Sequence, residues 1–265
     1  MKQILNVLIV LIIFSSCNNA ANEQPVTHLE IPAQEKAMKD AIEKYPDSLL
    51  LRETLIQYYQ DNGTADLALA EINTAIKIDS TDARLWNKKA ELYLLQDDTA
   101  NAIKSYEKAI AIFPEPKFIR SVGWLYAQTK NSNALVMADA LLMTKNARAD
   151  KEANLIKGLY FSAMGNKQKA ITFFDNCLAL DYNFMLAYRE KAIILYDMGK
   201  YEDAIKVLKK AITLQNNFAE GYYWMGRCFE KLNKTNEAIE NYNNTLLYNK
   251  DYDDAKDALG KLGVK

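Results

Sequence analysis

Alanine returns along this chain at a fixed step. Ala68, Ala102, Ala170, Ala204 and Ala238 lie 34, 68, 34 and 34 residues apart, and the one gap falls where a third copy would stand. A second series keeps the same step: Gly63, Asp97, Asn131, Gly165, Gly199 and Asn233 each follow the last by 34 residues. The two series have different physical causes. A small buried residue lets two helices approach, whereas Gly, Asn and Asp tolerate the left-handed backbone conformation that closes a helix. A chain held to both must build one small unit several times, each burying its apolar face against the next.

The unit is clearest between Ala83 and Pro114. A helix advances about 100° per residue, so Trp86, Lys89, Ala90 and Tyr93 share one face, and Ala102, Tyr106 and Ala109 share another. Between them QDDT breaks the pattern, and Pro114 stops the second helix. This is a helical hairpin with one adhesive side. Its order of large residue, small residue, aromatic, Ala, aromatic, Ala and Pro resembles the tetratricopeptide repeat (TPR). The resemblance implies an all-α fold, a right-handed α-solenoid of stacked helical hairpins whose first helices line a concave inner surface.

Aligned on the 34-residue step, six repeats are expected at 49–82, 83–115, 116–150, 151–184, 185–218 and 219–252 within a repeat domain covering 33–265. Capping helices are expected at 33–45, ended by Pro46, and at 253–262. The third repeat is the least regular. Gly123 and Tyr126 keep the pattern, but Ala134, Ala138 and Leu141 come early and two residues must be absorbed before the next unit. A locally altered superhelix is expected there.

The start of the chain has another character. Lys2, an apolar run from Ile4 to Phe14, then Ser15 and Ser16 read as a secretory signal peptide over 1–16, the run being too short to span a bilayer permanently. Phe14-Ser15-Ser16-Cys17 resembles a bacterial lipobox, which implies that Cys17 becomes a diacylated first residue. Residues 17–32 then form a polar tether reaching about 20 Å as a coil. The expected location is therefore the bacterial cell envelope, with the protein lipid-anchored through Cys17, at the outer membrane facing the periplasm. Cys177 and Cys228 are two repeats apart on helical faces, so they are expected to be free buried thiols.

Composition removes several function classes. A net charge of −1 with interspersed signs gives no footprint for nucleic acid. The single histidine, His28, lies in the tether, and the chain has no glycine-rich phosphate loop, so neither an enzyme nor a cofactor, metal or small-molecule substrate is expected. The carboxylate pairs Glu35/Asp40 and Glu237/Glu240 read as solvated helix faces. Most tyrosines, Tyr59, Tyr93, Tyr106 and Tyr242 among them, fall at core positions.

A partner must then meet the positions that point away from the core. Positions 2, 5, 9 and 12 of each first helix centre roughly 140° from the core positions. They include Arg84, Asn87 and Glu91, then Arg120 and Trp124, Leu155 and Leu159, Arg189 and Ile193, and Tyr223 and Arg227. Large apolar residues at the centre with arginines and tyrosine beside them have the composition of a binding hot spot. The expected partner is a peptide or helix of another envelope protein. The carboxylate clamp of chaperone-binding members is not matched: it needs Lys and Asn at positions 5 and 9 of one repeat, where the first repeat has Glu53 and Gln57 and the second Asn87 and Glu91. Self-stacking in an outer-membrane assembly, or a glycan-binding or enzymatic envelope protein, are the alternatives. Three Asp-Ser/Thr sequences, beginning at Asp47, Asp79 and Asp98, resemble O-glycosylation sequons, but helix capping accounts for them without glycans.

Overall fold

The computed structural model of the protein describes residues 32–143 and 147–264, and all regular structure among them is helical. The expected signal peptide, Cys17 and the expected tether up to residue 31, with His28, lie outside the described residues. After α1 (Ala33–Lys44) come the hairpins α2 (Leu49–Asp61) with α3 (Ala65–Ile78), α4 (Ala83–Leu95) with α5 (Thr99–Ile112), and α6 (Pro116–Gln128) with α7 (Asn133–Leu142). Next are α8 (Ala147–Ala163) with α9 (Lys167–Leu180), α10 (Met185–Asp197) with α11 (Tyr201–Leu214), and α12 (Ala219–Lys231) with α13 (Thr235–Tyr248). α14 (Asp253–Lys261) closes the array. No helix among the described residues is long and apolar enough to cross a membrane.

Each first helix ends by the same device. The amides of Thr64, Asp98, Asn131, Asn166, Lys200 and Lys234 donate to the carbonyls five residues back, of Tyr59, Tyr93, Tyr126, Phe161, Leu195 and Phe229, at 2.8–2.9 Å. The residue just before each donor has positive φ: Gly63, Asp97, Lys130, Gly165, Gly199 and Asn233. This is the closure in which one left-handed residue satisfies carbonyls left open by the helix. In the third hairpin the left-handed residue is Lys130, not Asn131 as the period predicts, because α6 ends one residue early. Helix starts are capped in turn. Asp82 Oδ1 accepts from the Arg84 amide at 2.8 Å, Asp98 Oδ1 from Asn101 at 3.0 Å and Asn166 Oδ1 from Lys169 at 3.2 Å.

Within hairpins, small residues set the helix spacing. Ala68, Ala102, Ala170, Ala204 and Ala238 are fully buried, and Ala134 fills the same role in the third hairpin. In the sixth hairpin a Cβ on Gly226 would lie 2.7 Å from the Tyr242 ring, so glycine is what lets the tyrosine lie flat on α12. Cys177 and Cys228 are free and buried, and burial pushes both thiols up to about 12.

The third hairpin departs from its neighbours. α7 has 10 residues where the other second helices have 14, and α8 has 17 where the other first helices have 13. α8 therefore starts at Ala147, ahead of the repeat boundary expected at Lys151. With a turn missing from α7, α6 and α8 pack directly on each other. Successive first helices also touch at α8–α10 and α10–α12, while neighbouring second helices make no comparable contact, so the first helices form the tighter, inner side.

At the N-terminal end Glu35 is buried, not solvated as its sequence pattern suggested. It accepts from the Tyr59 hydroxyl at 2.8 Å and pairs with Lys39 at 2.7 Å, pinning α1 onto α2. The hydrogen bonds from Lys39 and then Tyr59 hold its carboxyl below the usual carboxylate range.

Candidate partner-binding surface

Among the described residues, three clefts between first helices include the expected contact positions. One of about 340 Å³ between α2 and α4 includes Arg84 and Asn87. One of about 360 Å³ between α6 and α8 includes Arg120. The third, about 440 Å³, lies between α10, α12 and α14 and includes Tyr196, Tyr223 and Arg227.

The expected apolar centre is largely absorbed by packing. Leu155 is only 2% exposed and sits in a core with Phe174, Ala187 and Ile194. Leu159 is half-buried and packs against that core and the one before it. α9 and α10 cover Leu155, and Leu159 also meets the core that α6 and α7 contribute to. Trp124 and Ile193 remain half-exposed, and Tyr223 is 7% exposed, a wall of the third cleft rather than its opening.

The four arginines of the expected surface divide by partner. Arg84 meets Asp82 at 2.6 Å and lowers the Asp82 carboxyl. Arg120 meets Glu152 at 3.6 Å. Arg189 donates Nε and Nη2 to Glu190 at 3.0 and 2.8 Å, and Nη1 to both oxygens of Glu220 at 2.9 and 3.0 Å. Asn87 donates to the exposed Glu91 at 2.9 Å, tying up another pair of expected contact residues.

Arg227 differs. Its Nη1 donates to the Tyr223 hydroxyl at 3.0 Å and its Nη2 to the Tyr196 hydroxyl at 3.2 Å. The guanidinium lies 5.3, 5.8 and 5.5 Å from the ring centroids of Tyr196, Tyr223 and Trp224. Among the described residues it has no carboxylate partner. Burial opposes its charge, but the two phenol hydroxyls outweigh that and raise its pKa further. Below it, Tyr242 donates to Glu230, and burial followed by that hydrogen bond raises the Tyr242 hydroxyl strongly. The cleft thus presents a positioned cation framed by aromatic rings, with Glu230, Lys231, Asp254, Asp257 and Lys261 around its rim. Sequence position alone could not separate Arg227 from Arg189; only the placement of Glu190 and Glu220 does. Among the described residues no group of His, Cys, Asp and Glu is placed to hold a metal ion.

Comparison with known proteins agrees with this architecture. A tetratricopeptide repeat protein from Parabacteroides merdae superposes with a TM-score of 0.71 at 21% identity, over 86% of this chain and 90% of that one. PilW, described as a widely conserved type IV pilus biogenesis factor, gives 0.62 at 22% identity over 79% and 96%. In sequence, the human mitochondrial import receptor subunit TOM70 is 22% identical over 188 residues, which is 68% of this chain but 31% of the receptor, so the chain spans less than a third of that protein. The tetratricopeptide repeat family model matches residues 83–116, 152–184 and 219–251, and a related TPR repeat model matches 192–233. The chain is a tetratricopeptide-repeat protein, and its fold is that of a protein–protein interaction scaffold.

Proposed function

We propose that the protein is a non-enzymatic adaptor that holds a peptide or helix of a partner protein on its inner surface, with Arg227 as the anchor. The observation that carries this reading is the state of Arg227, a half-buried cation held in place by Tyr196, Tyr223 and Trp224 with no carboxylate partner among the described residues. A guanidinium fixed in this way keeps donors free for an acidic side chain of a partner, and aromatic side chains beside an arginine are the usual makings of a binding hot spot. The cleft at α10, α12 and α14 is therefore the centre of the interface, and Trp124 and Ile193 extend it along the solenoid. Affinity capture with the wild-type chain and with Arg227→Ala tests this: the variant should lose its captured partner while keeping its helical content. An unchanged partner list sinks the proposal.

The location completes the reading. The lipobox-like Phe14-Ser15-Ser16-Cys17 supports an anchor in the bacterial envelope, with the repeat array held at the outer membrane and facing the periplasm to meet another envelope protein. Replacing Cys17 with Ala should release the protein from the membrane fraction and abolish incorporation of labelled fatty acid. A wild-type chain that takes up no fatty acid removes the anchor.

A further inference from the structure

A second groove, of about 630 Å³, lies on the outer side of the solenoid, between the second helices α9 and α11 with α10 beneath. α9 presents Gln168, Ile171, Asp175 and Leu178 to it, spaced three, four and three residues apart, and α11 presents Asp203, Lys206, Val207 and Lys210. Each set is one stripe of a helix. Ile171, Leu178 and Val207 each pack against two neighbouring cores yet remain partly exposed, so they form an apolar strip along the seam of two repeats.

The rim of this strip is positive in a chain whose net charge is −1. Lys191 is tied to Asp175 at 2.5 Å. Lys200, Lys206 and Lys210 have no carboxylate partner among the described residues, and Asp203 is the other carboxylate that lines the groove. The Lys210 ammonium lies 6.0 Å from the centroid of the Tyr188 ring, and the Tyr188 hydroxyl, in a residue 2% exposed, makes no hydrogen bond among the described residues. The stems of these lysines can cover the apolar strip and Lys210 faces the Tyr188 ring, but their three charges are left without an internal partner that folding would supply.

We infer that this outer groove docks an acidic amphipathic helix of a partner protein. Gln168 to Leu178 spans about 15 Å at 1.5 Å per residue, room for three turns. Two parallel stripes at i, i+3 and i+4 spacing form ridges between which a third helix can lie. Its apolar side covers Ile171, Leu178 and Val207, and Asp or Glu residues on its flanks meet Lys200, Lys206 and Lys210, a match of sign that also speeds encounter and selects against basic helices. A flat bilayer reaches the lysines but not the recessed apolar strip. The site is separate from Arg227 and does not depend on it.

The test uses the full chain and a phage-displayed library of fourteen-residue peptides. Apolar residues are fixed at i, i+3, i+4 and i+7, and the other positions are randomised among Asp, Glu, Lys, Ala and Ser. The expected result is enrichment of Asp and Glu over Lys. The enriched peptides should bind Lys206→Glu/Lys210→Glu at least about tenfold more weakly, while Arg227→Ala binds them like wild type. Both lysines are exposed, so circular dichroism should show an unchanged fold. No enrichment, enrichment of Lys, or peptides that lose binding to Arg227→Ala instead overturns the inference. Phosphatidylglycerol vesicles and sedimentation run alongside: binding to vesicles, or self-association, that is lost in the double variant while the library yields nothing assigns the groove to a membrane or to a second copy and likewise overturns it.

Discussion

Arg189 and Arg227 stand one hairpin apart on the same inner surface, and their surroundings give them opposite uses. Arg189 has two carboxylates within 3.0 Å and commits its donors to them, joining α10 to α12. Arg227 has two phenol hydroxyls and three rings instead, which fix its direction without neutralising it. A half-buried cation is costly unless something compensates it. For Arg189 the compensation is internal, and the residue is structural. For Arg227 it is incomplete, and the remainder is available to a partner. Arg84 and Arg120 also have a carboxylate beside them, Asp82 and Glu152, but Arg84 is largely exposed and the Arg120 contact is long, so these pairs contribute little to stability.

The largest expected effect comes from disturbing what holds Arg227. Tyr223 lies 5.9 Å from Tyr242, whose ring rests on Gly226. In Gly226→Ala the new methyl would meet that ring at 2.7 Å, forcing the helices apart or the ring aside. The variant should lose about 2 kcal/mol of stability in urea titration, as overpacked cores do, and should also weaken the captured partner because the cage moves. Equal stability in the variant would mean that the hairpin is loosely packed and the cage is not rigid. A smaller effect, about 1 kcal/mol, is expected from Arg189→Ala, which strands Glu190 and Glu220 near each other at a half-exposed site. Partner affinity should stay unchanged. If Arg189→Ala abolishes binding as Arg227→Ala should, the contrast between the two arginines is wrong and the whole inner surface acts together.

The architecture was largely legible in the sequence because each repeat restates the same two constraints. Alanines 34 residues apart and turn residues 34 residues apart specify helix pairs, and inside the six hairpins all but one of the left-handed turn positions are those the period names. Lys130 and the short α7 mark where reading by period fails. One turn lacks a residue and one helix lacks a turn, and only packing decides how the chain absorbs the difference. The surface was harder to read. Helical angle alone placed Leu155 and Tyr223 facing the groove, but the approach of neighbouring helices buries both. The outer groove leaves one faint signal in the sequence, the lysines at 206 and 210 beside Val207, one turn apart on α11. Ion-pair partners that lie far away in sequence, such as Glu220 for Arg189 at 31 residues, leave no local trace.

Glu35, at the far end of the solenoid, offers the smallest effect and an independent check on the link between internal pairing and structural role. Like Arg189 it is a charged group compensated inside the chain, here by Lys39 and the Tyr59 hydroxyl. Its carboxyl is held below the usual range, so the unfolded chain takes up the proton at a higher pH than the folded one does. The stabilisation is therefore complete above the unfolded carboxylate range and fades as pH falls through the lowered value. Glu35→Gln removes the charge while keeping the shape, and should cost at most about 1 kcal/mol at neutral pH. That difference from wild type should shrink towards zero in acid, where the native carboxyl is itself protonated and resembles the amide. Thermal melts of the two proteins from neutral to acid pH measure it. A constant offset across the range would show that shape rather than charge holds α1 to α2, and that internal pairing is a poor guide to which charged residues of this solenoid are structural.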